Sequence, residues 1–409
     1  MQLYLRLAWR NIWRHRRRTI IIVAAMGLGL AMMMMYDGMM DGFNQAIYGN
    51  AIRVLGGNIQ IHAAGYREKI DTNPLLPLPN DTAAVKTAQA DPLVVAAARR
   101  ITTGGLATNH EGAYPMSIIG IEPEVETPVS LIASHISSGR FLTSADQDSA
   151  LIGKGLADVM GLKVGDRFTL VGSDIHKQNR QRAMTVVGIY DIGLASNEKG
   201  TLYISLGEAQ SLYGLPGQST EVDVTLNKLG QEDAVVAALA PALPGYEVES
   251  WQQNFPELTS AVNQKTAVMN VFSVIITIIA GIGILNLLLM AVYERTREIG
   301  LLGAMGLKPG QIALLFILEG TMIGVVGVIA GAILGLVFNG SFGYIGFDYS
   351  QFSSVTEYMA LISGKVYPTL GLGSLLGRAL TIIVIATLAA WLPATEAASR
   401  EPAEALHYV

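Results

Sequence analysis

The chain has 409 residues, 51% hydrophobic and 15% charged, with a formal net charge of -5 and no cysteine. The acidic balance argues against a nucleic-acid partner, and the absence of cysteine excludes a disulfide-framed fold. A mean hydropathy of +0.39 describes a protein that is part membrane and part water-soluble.

Residues 1–18 read as a cytoplasmic amphipathic helix, with Leu3, Leu7, Trp9 and Trp13 interleaved with arginines, whose partner is membrane lipid. An apolar run then opens at Thr19 and defines a first membrane span over 19–41, since about 20 apolar residues cross a bilayer core. Arg6, Arg10, Arg14, Arg16, Arg17 and Arg18 crowd its N-terminal flank and only Arg53 follows closely, so the N-terminus is placed inside. The run exceeds the roughly 7–15 residues of a signal peptide's apolar region, and no convincing small-x-small cleavage site precedes Asp37, so it reads as a permanent anchor. Within it Met32, Met33, Met34 and Met35, followed by Met39 and Met40, make a flexible, polarizable surface. Such a surface accepts varied apolar partners, either acyl chains in a substrate cavity or ordinary lipid and neighbouring helices.

Residues 42–263 form an extracytoplasmic segment of about 220 residues, enough for two lobes and held without disulfides by a hydrophobic core. Strand patterns occur at Asn58–His62, Met116–Ile121, Ala183–Ile189 and Val222–Leu226, and helical stretches at Ala83–Arg100, Gly153–Met160 and Leu206–Leu212. An α+β domain follows. Asp71–Asp81, with three prolines, reads as a loop, and Ser173–Arg182 as a polar excursion between strands. The phosphate-cradling G-x-x-x-x-G-K-[ST] loop, H-E-x-x-H and the G-x-S-x-G elbow are all missing. The six histidines are scattered, so no catalytic residue, resident cofactor or metal site is assigned.

A second span covers 264–293 and leads into a charged cytoplasmic coupling element at 294–311. On a helix, Glu294 pairs with Arg297 and Arg295 with Glu298 at i, i+3, while Ile299, Leu302 and Met305 supply a short apolar face for docking in a partner's groove. The third span, 312–338, carries Gly320, Gly324, Gly327, Gly331 and Gly335, a small-residue stripe suited to close helix packing. Glu319 beside it is an intramembrane charge that must be protonated, paired or turned to a polar cavity. An external loop at 339–374, a fourth span at 375–393 and a cytoplasmic tail at 394–409 complete the chain, with Arg378 snorkelling to the outer interface. The expected fold is thus a membrane protein of four transmembrane α-helices, with a large α+β extracytoplasmic domain between the first and second and both termini inside.

Two segments carry a family resemblance: Tyr293-Glu-Arg-Thr-Arg-Glu-Ile-Gly-Leu-Leu-Gly-Ala-Met-Gly306, and Leu392-Pro-Ala-Thr-Glu-Ala-Ala-Ser-Arg-Glu-Pro-Ala-Glu-Ala-Leu406. With the topology, they resemble the FtsX/MacB-type permeases of type VII ABC transporters. The N-terminal Leu7–Arg18 block, Gly56–His62 and Val248–Trp251 are similar to the lipoprotein-releasing LolC/LolE branch. The resemblance implies a permease of the bacterial inner membrane, with no nucleotide-binding domain of its own. ATP and Mg would bind a separate ABC ATPase subunit, and the permease would pair with a second permease subunit, the same or related. Cytoplasmic closure would drive the periplasmic domains to hand a lipoprotein or other amphipathic substrate to a periplasmic carrier or adaptor. In that branch the first spans line the central cavity, which favours the methionine run as its wall. MacB-like efflux of peptides or hydrophobic compounds, and FtsX-like mechanotransmission to a cell-wall hydrolase, are the alternatives.

Overall fold

The computed structural model describes residues 2–14, 16–72, 74–293, 296–349 and 365–399. In chain order its elements are α1 (Gln2–Arg14), α2 (Arg16–Leu55), β1 (Ile59–Ala63), α3 (Asp81–Gln89), β2 (Val94–Thr108), β3 (Ala113–Ile121), α4 (Pro123–Glu126) and α5 (Leu131–Ser134). There follow β4 (Ile136–Gly139), β5 (Ser149–Gly153), α6 (Lys154–Met160), β6 (Arg167–Ser173), β7 (Asn179–Tyr190), α7 (Ala195–Gly200), β8 (Thr201–Ser205) and α8 (Leu206–Tyr213). The remainder is β9 (Glu221–Leu226), α9 (Glu232–Ala242), β10 (Tyr246–Ser250), α10 (Trp251–Asn254), α11 (Pro256–Tyr293), α12 (Thr296–Ala304), α13 (Pro309–Ile345) and α14 (Leu372–Ser399). These elements fall into two compact units, one of 44–261 with 348–365, the other of 1–43, 262–347 and 366–409.

In the α+β unit, β1-α3-β2 and β9-α9-β10 interleave in one antiparallel sheet with spatial order β10-β1-β9-β2. This is the split β-α-β-β-α-β arrangement, with residues 101–220 inserted between its second and third strands. Ile59, Ile61, Val222 and Val224 pack on Ala84, Ala88, Val235 and Leu239 to form one core. The insertion continues β2 into a second group of strands, β3, β8, β5, β7 and β4, with β6 joining β2 to β7. Its own core gathers Ile118, Ile152, Phe168, Leu170, Met184 and Leu202.

The alternation at Asn58–His62 would leave one strand face in water, yet every residue of β1 is buried. Its polar face lies over a buried ionic network instead. His62 Nε2 stands 3.0 Å from Glu221, and Arg100 reaches Glu126 at 2.7 and 2.8 Å and Asp223 at 2.7 Å. Burial pushes the Asp223 carboxyl up to about 7, and the nearby carboxylates of Glu126 and Glu221 add to that against the pull of Arg100.

Two local expectations change. The stretch Ala83–Arg100 is helical only through α3, and Val94–Arg100 belongs to β2, paired with β9. Pro92 lacks the amide a helix needs and Asp91 caps the turn by accepting from Leu93 N at 2.9 Å, so the alanines beyond are free to pair as a strand. The polar excursion Ser173–Arg182 is largely a hairpin, whose turn is organised by Asp174 accepting from the amides of His176 and Gln178.

The second unit contains α1, α12 and, among the described residues, four helices long and apolar enough to cross a membrane: α2, α11, α13 and α14. Ile22 and Met26 of α2, Ile323 of α13 and Ala386 and Ala390 of α14 share one core, which Ile12 of α1 joins. Helices outlast the apolar runs at both ends of the 42–263 segment. α2 continues through Gly42 and Gly49 to Leu55, and α11 begins at Pro256, whose fixed φ suits a first helical position. Gly57 ends α2 with φ 76, its amide donating to Ile52 O at 2.8 Å, and a Cβ there would strike Asp223.

Candidate functional site

A cavity of about 350 Å³ opens in the helical unit between α2, α11 and α14. Gly29, Met32, Met33 and Tyr36 line one wall at the i, i+3, i+4, i+7 spacing of a single helix face, and Ser273, Ile279 and Arg378 complete it. The wall is almost wholly apolar. A Cβ on Gly29 would meet open space, so the missing side chain enlarges the volume. Two of the polar side chains are already engaged: Tyr36 donates its hydroxyl to Met269 Sδ at 2.9 Å. Arg378 donates from Nε and Nη2 to the two oxygens of Asp37, at 3.0 and 2.9 Å. A volume of this size suits an apolar chain or small apolar group.

The methionine run divides here. Met32 and Met33 line the cavity, whereas Met34 is fully buried on the opposite side, its sulfur 2.6 Å from where a Cβ on Gly335 would stand. Met35, Met39 and Met40 are half-buried outside the wall. Asn339 of α13 fixes the rotation of the helix by donating from Nδ2 to Met34 O at 2.9 Å.

The glycine stripe faces two neighbours. Cβ atoms on Gly327 and Gly331 would lie 2.9 Å from Met26 Cβ and 2.7 Å from Gly27 O, and Gly335 abuts Met34, so these three admit α2. Gly320 and Gly324 would meet Ala390 and Ala386 at 2.5 and 2.9 Å and admit α14. Glu319 is buried beside them.

A feature that the sequence reading missed closes the other end. The extended residues before α14 lie along α2, with Thr369 N donating to Gly38 O at 2.9 Å and Thr369 Oγ1 to Asp41 at 3.2 Å. A Cβ on Gly38 would strike Thr369 O, and one on Gly42 would lie 2.6 Å from Tyr367 O. The Gly38-x-x-x-Gly42 spacing was the signal available. Arg378, expected to snorkel, takes Asp37 as its partner 341 positions away.

In the coupling element, Glu294 and Arg295 lie outside the described residues. α12 ends in a Schellman motif, with Gly306 at φ 95, Gly306 N donating to Gly303 O at 3.0 Å and Leu307 N to Leu302 O at 3.2 Å. α13 then starts at Pro309, with Lys308 N donating to Gln311 Oε1 at 2.9 Å. The apolar face read for docking splits. Ile299 and Leu302 turn inward against Ile312, Phe316 and Ala394, which leaves Arg297, Leu301 and Met305 exposed and Glu298 half-buried.

Residues 19–242, more than half of the chain, match the MacB-like periplasmic core domain, and residues 270–402 match the FtsX-like permease C-terminal domain. The lipoprotein-releasing system transmembrane protein LolC of Xylella fastidiosa is 26% identical over 402 residues, covering 94% of this chain and 92% of that one. The ABC transporter permease YknZ of Bacillus subtilis is 23% identical, over 99% of this chain and 98% of that one. The pyoverdine export ATP-binding/permease protein PvdT of Pseudomonas aeruginosa is 25% identical over 98% of this chain, which spans 58% of that protein.

Proposed function

The chain belongs to the family of permeases that join a MacB-like periplasmic core domain to an FtsX-like C-terminal region, and we propose that it moves lipoprotein or another amphipathic substrate from the outer leaflet. It is a permease of the type VII ABC transporter family, an inner-membrane protein with a periplasmic domain, and the family implies an ATPase partner. In our reading both termini and α12 lie in the cytoplasm, where a separate subunit binds ATP and Mg. The exposed residues Arg297, Leu301 and Met305 offer it a docking face.

The observation that carries the substrate reading is the methionine-lined cavity, apolar along Gly29, Met32 and Met33 and closed by the Arg378–Asp37 pair. An acyl chain entering sideways from lipid loses no apolar contact there, and methionine adapts to its path. The ion pair holds its own charges satisfied, so an apolar occupant strands neither of them. Turnover inside would shift the helices around the cavity and release the substrate to a periplasmic carrier, with a second permease subunit, the same or related, forming the other half.

The test is to purify the complex with its co-encoded ATPase from native membranes and identify bound molecules by mass spectrometry. Triacylated lipoprotein retained by the unmodified protein and lost from Gly29→Leu supports the reading. An adaptor or a cell-wall hydrolase in place of lipoprotein would transfer the assignment to efflux or to mechanical signalling.

A further inference from the structure

The periplasmic domain holds a second cavity of about 350 Å³ that the transport reading does not use. Gln60 of β1, Thr102 of β2, Glu221 of β9 and Asn254 of α10 line it, together with the apolar side chains of Val54 and Phe255. Three of these polar residues, Gln60, Glu221 and Asn254, are more than nine-tenths buried.

The chemistry of the wall is one-sided. Glu221 accepts from Thr102 Oγ1 at 2.5 Å and stands 3.0 Å from His62 Nε2. Burial works against its charge, but the hydrogen bonds from His62 and Thr102 and the positive charge of Arg100 hold the carboxyl below the usual range, so it is ionised at neutral pH. Asn254 donates from Nδ2 to Gln60 Oε1 at 2.8 Å, which ties the two amides together at the cavity wall. Tyr66, at the same cavity, registers the same field: burial and then the charges of Glu221 and Glu249 push its phenol up.

We propose that this cavity binds a small organic cation, a primary ammonium on a short apolar stem, with the Glu221 carboxylate accepting from the head and Val54 and Phe255 enclosing the stem. The ammonium supplies three donors and a charge that the carboxylate complements, while a neutral or anionic head does not. Val54 lies in the last turn of α2 and Asn254-Phe255 immediately precede α11, so the occupant joins the segments by which the chain enters and leaves the domain.

Isothermal titration of the full chain in lipid nanodiscs with n-butylammonium, n-butanol and butyrate at matched ionic strength tests this. Saturable binding of the ammonium alone is expected, weakened at least tenfold by Glu221→Gln, which preserves the shape of the side chain. Ser117→Leu, which fills the cavity from β3 and leaves the carboxylate intact, should abolish it. No saturable ammonium binding, equal binding of butanol, or unchanged affinity in both variants would overturn the assignment.

Discussion

Replacing Gly331 by alanine isolates the closeness of α2 and α13. The new Cβ would stand 2.7 Å from Gly27 O, 2.8 Å from Leu30 Cβ and 3.0 Å from Gly27 Cα, where ordinary contact needs about 3.5–4 Å. Two of those atoms are backbone, so a rotamer change cannot absorb the clash and the helices must part. Overpacking of this kind costs about 1–3 kcal/mol. Gly29→Ala on α2 is the control, since its Cβ meets nothing within 4 Å. Both substitutions gain the same backbone preference, about 0.5–1 kcal/mol where a helix forms on folding, so that contribution cancels between them. The pair should therefore differ by about 1–3 kcal/mol, Gly331→Ala being the weaker. Equilibrium unfolding in mixed micelles, followed by tryptophan fluorescence, measures the difference. Equal midpoints and slopes for the two would refute the close packing.

Further outcomes follow from the cavity, the coupling helix and the ionic network. Met33→Asp should lower the amount of acylated protein that co-purifies, with the complex still assembled, as mass spectrometry of the purified complex would show. Leu301→Asp should loosen the ATPase from the complex on gel filtration, whereas Ile299→Ala should leave that interface intact and destabilise the membrane unit by about 2–5 kcal/mol in micelle unfolding. Asp223 ionises near 3.8 in an unfolded chain and near 7 here, so between those values the folded domain keeps a proton that the unfolded one has lost. Its contribution to stability is complete below about pH 4 and is lost as pH rises through 7, by at most about 1.4 kcal/mol per pH unit. Asp223→Asn should flatten that slope in denaturant titrations of the full chain at pH 5 and pH 7.5.

Much of this was readable from local pattern. Four apolar runs longer than a bilayer core mark the crossing helices, and β-branched runs such as Val222–Leu226 mark strands. What escaped depends on partners far away in sequence. Val94–Arg100 has the alanines of a helix, and only pairing to β9 makes it a strand. Met33 and Met34 are alike in isolation; the bond from Asn339, 305 positions on, decides which faces the cavity and which fills the groove at Gly335. Likewise nothing near Ile299 shows that Phe316 and Ala394 claim it before any partner can. Periodicity reports that a face is apolar and is silent on what covers it.

The two-sided glycine stripe of α13 has a mechanical corollary. Because α2 is seated on α13 against the Gly27 backbone and α14 against it through the methyls of Ala386 and Ala390, the three interlock as a single stave. α11, by contrast, is mostly exposed along its described apolar residues, among them Val271, Phe272, Ile278 and Ile282. Two of the three walls around the methionine cavity are thus held to one another through α13, and the third side of the vessel is the more exposed α11.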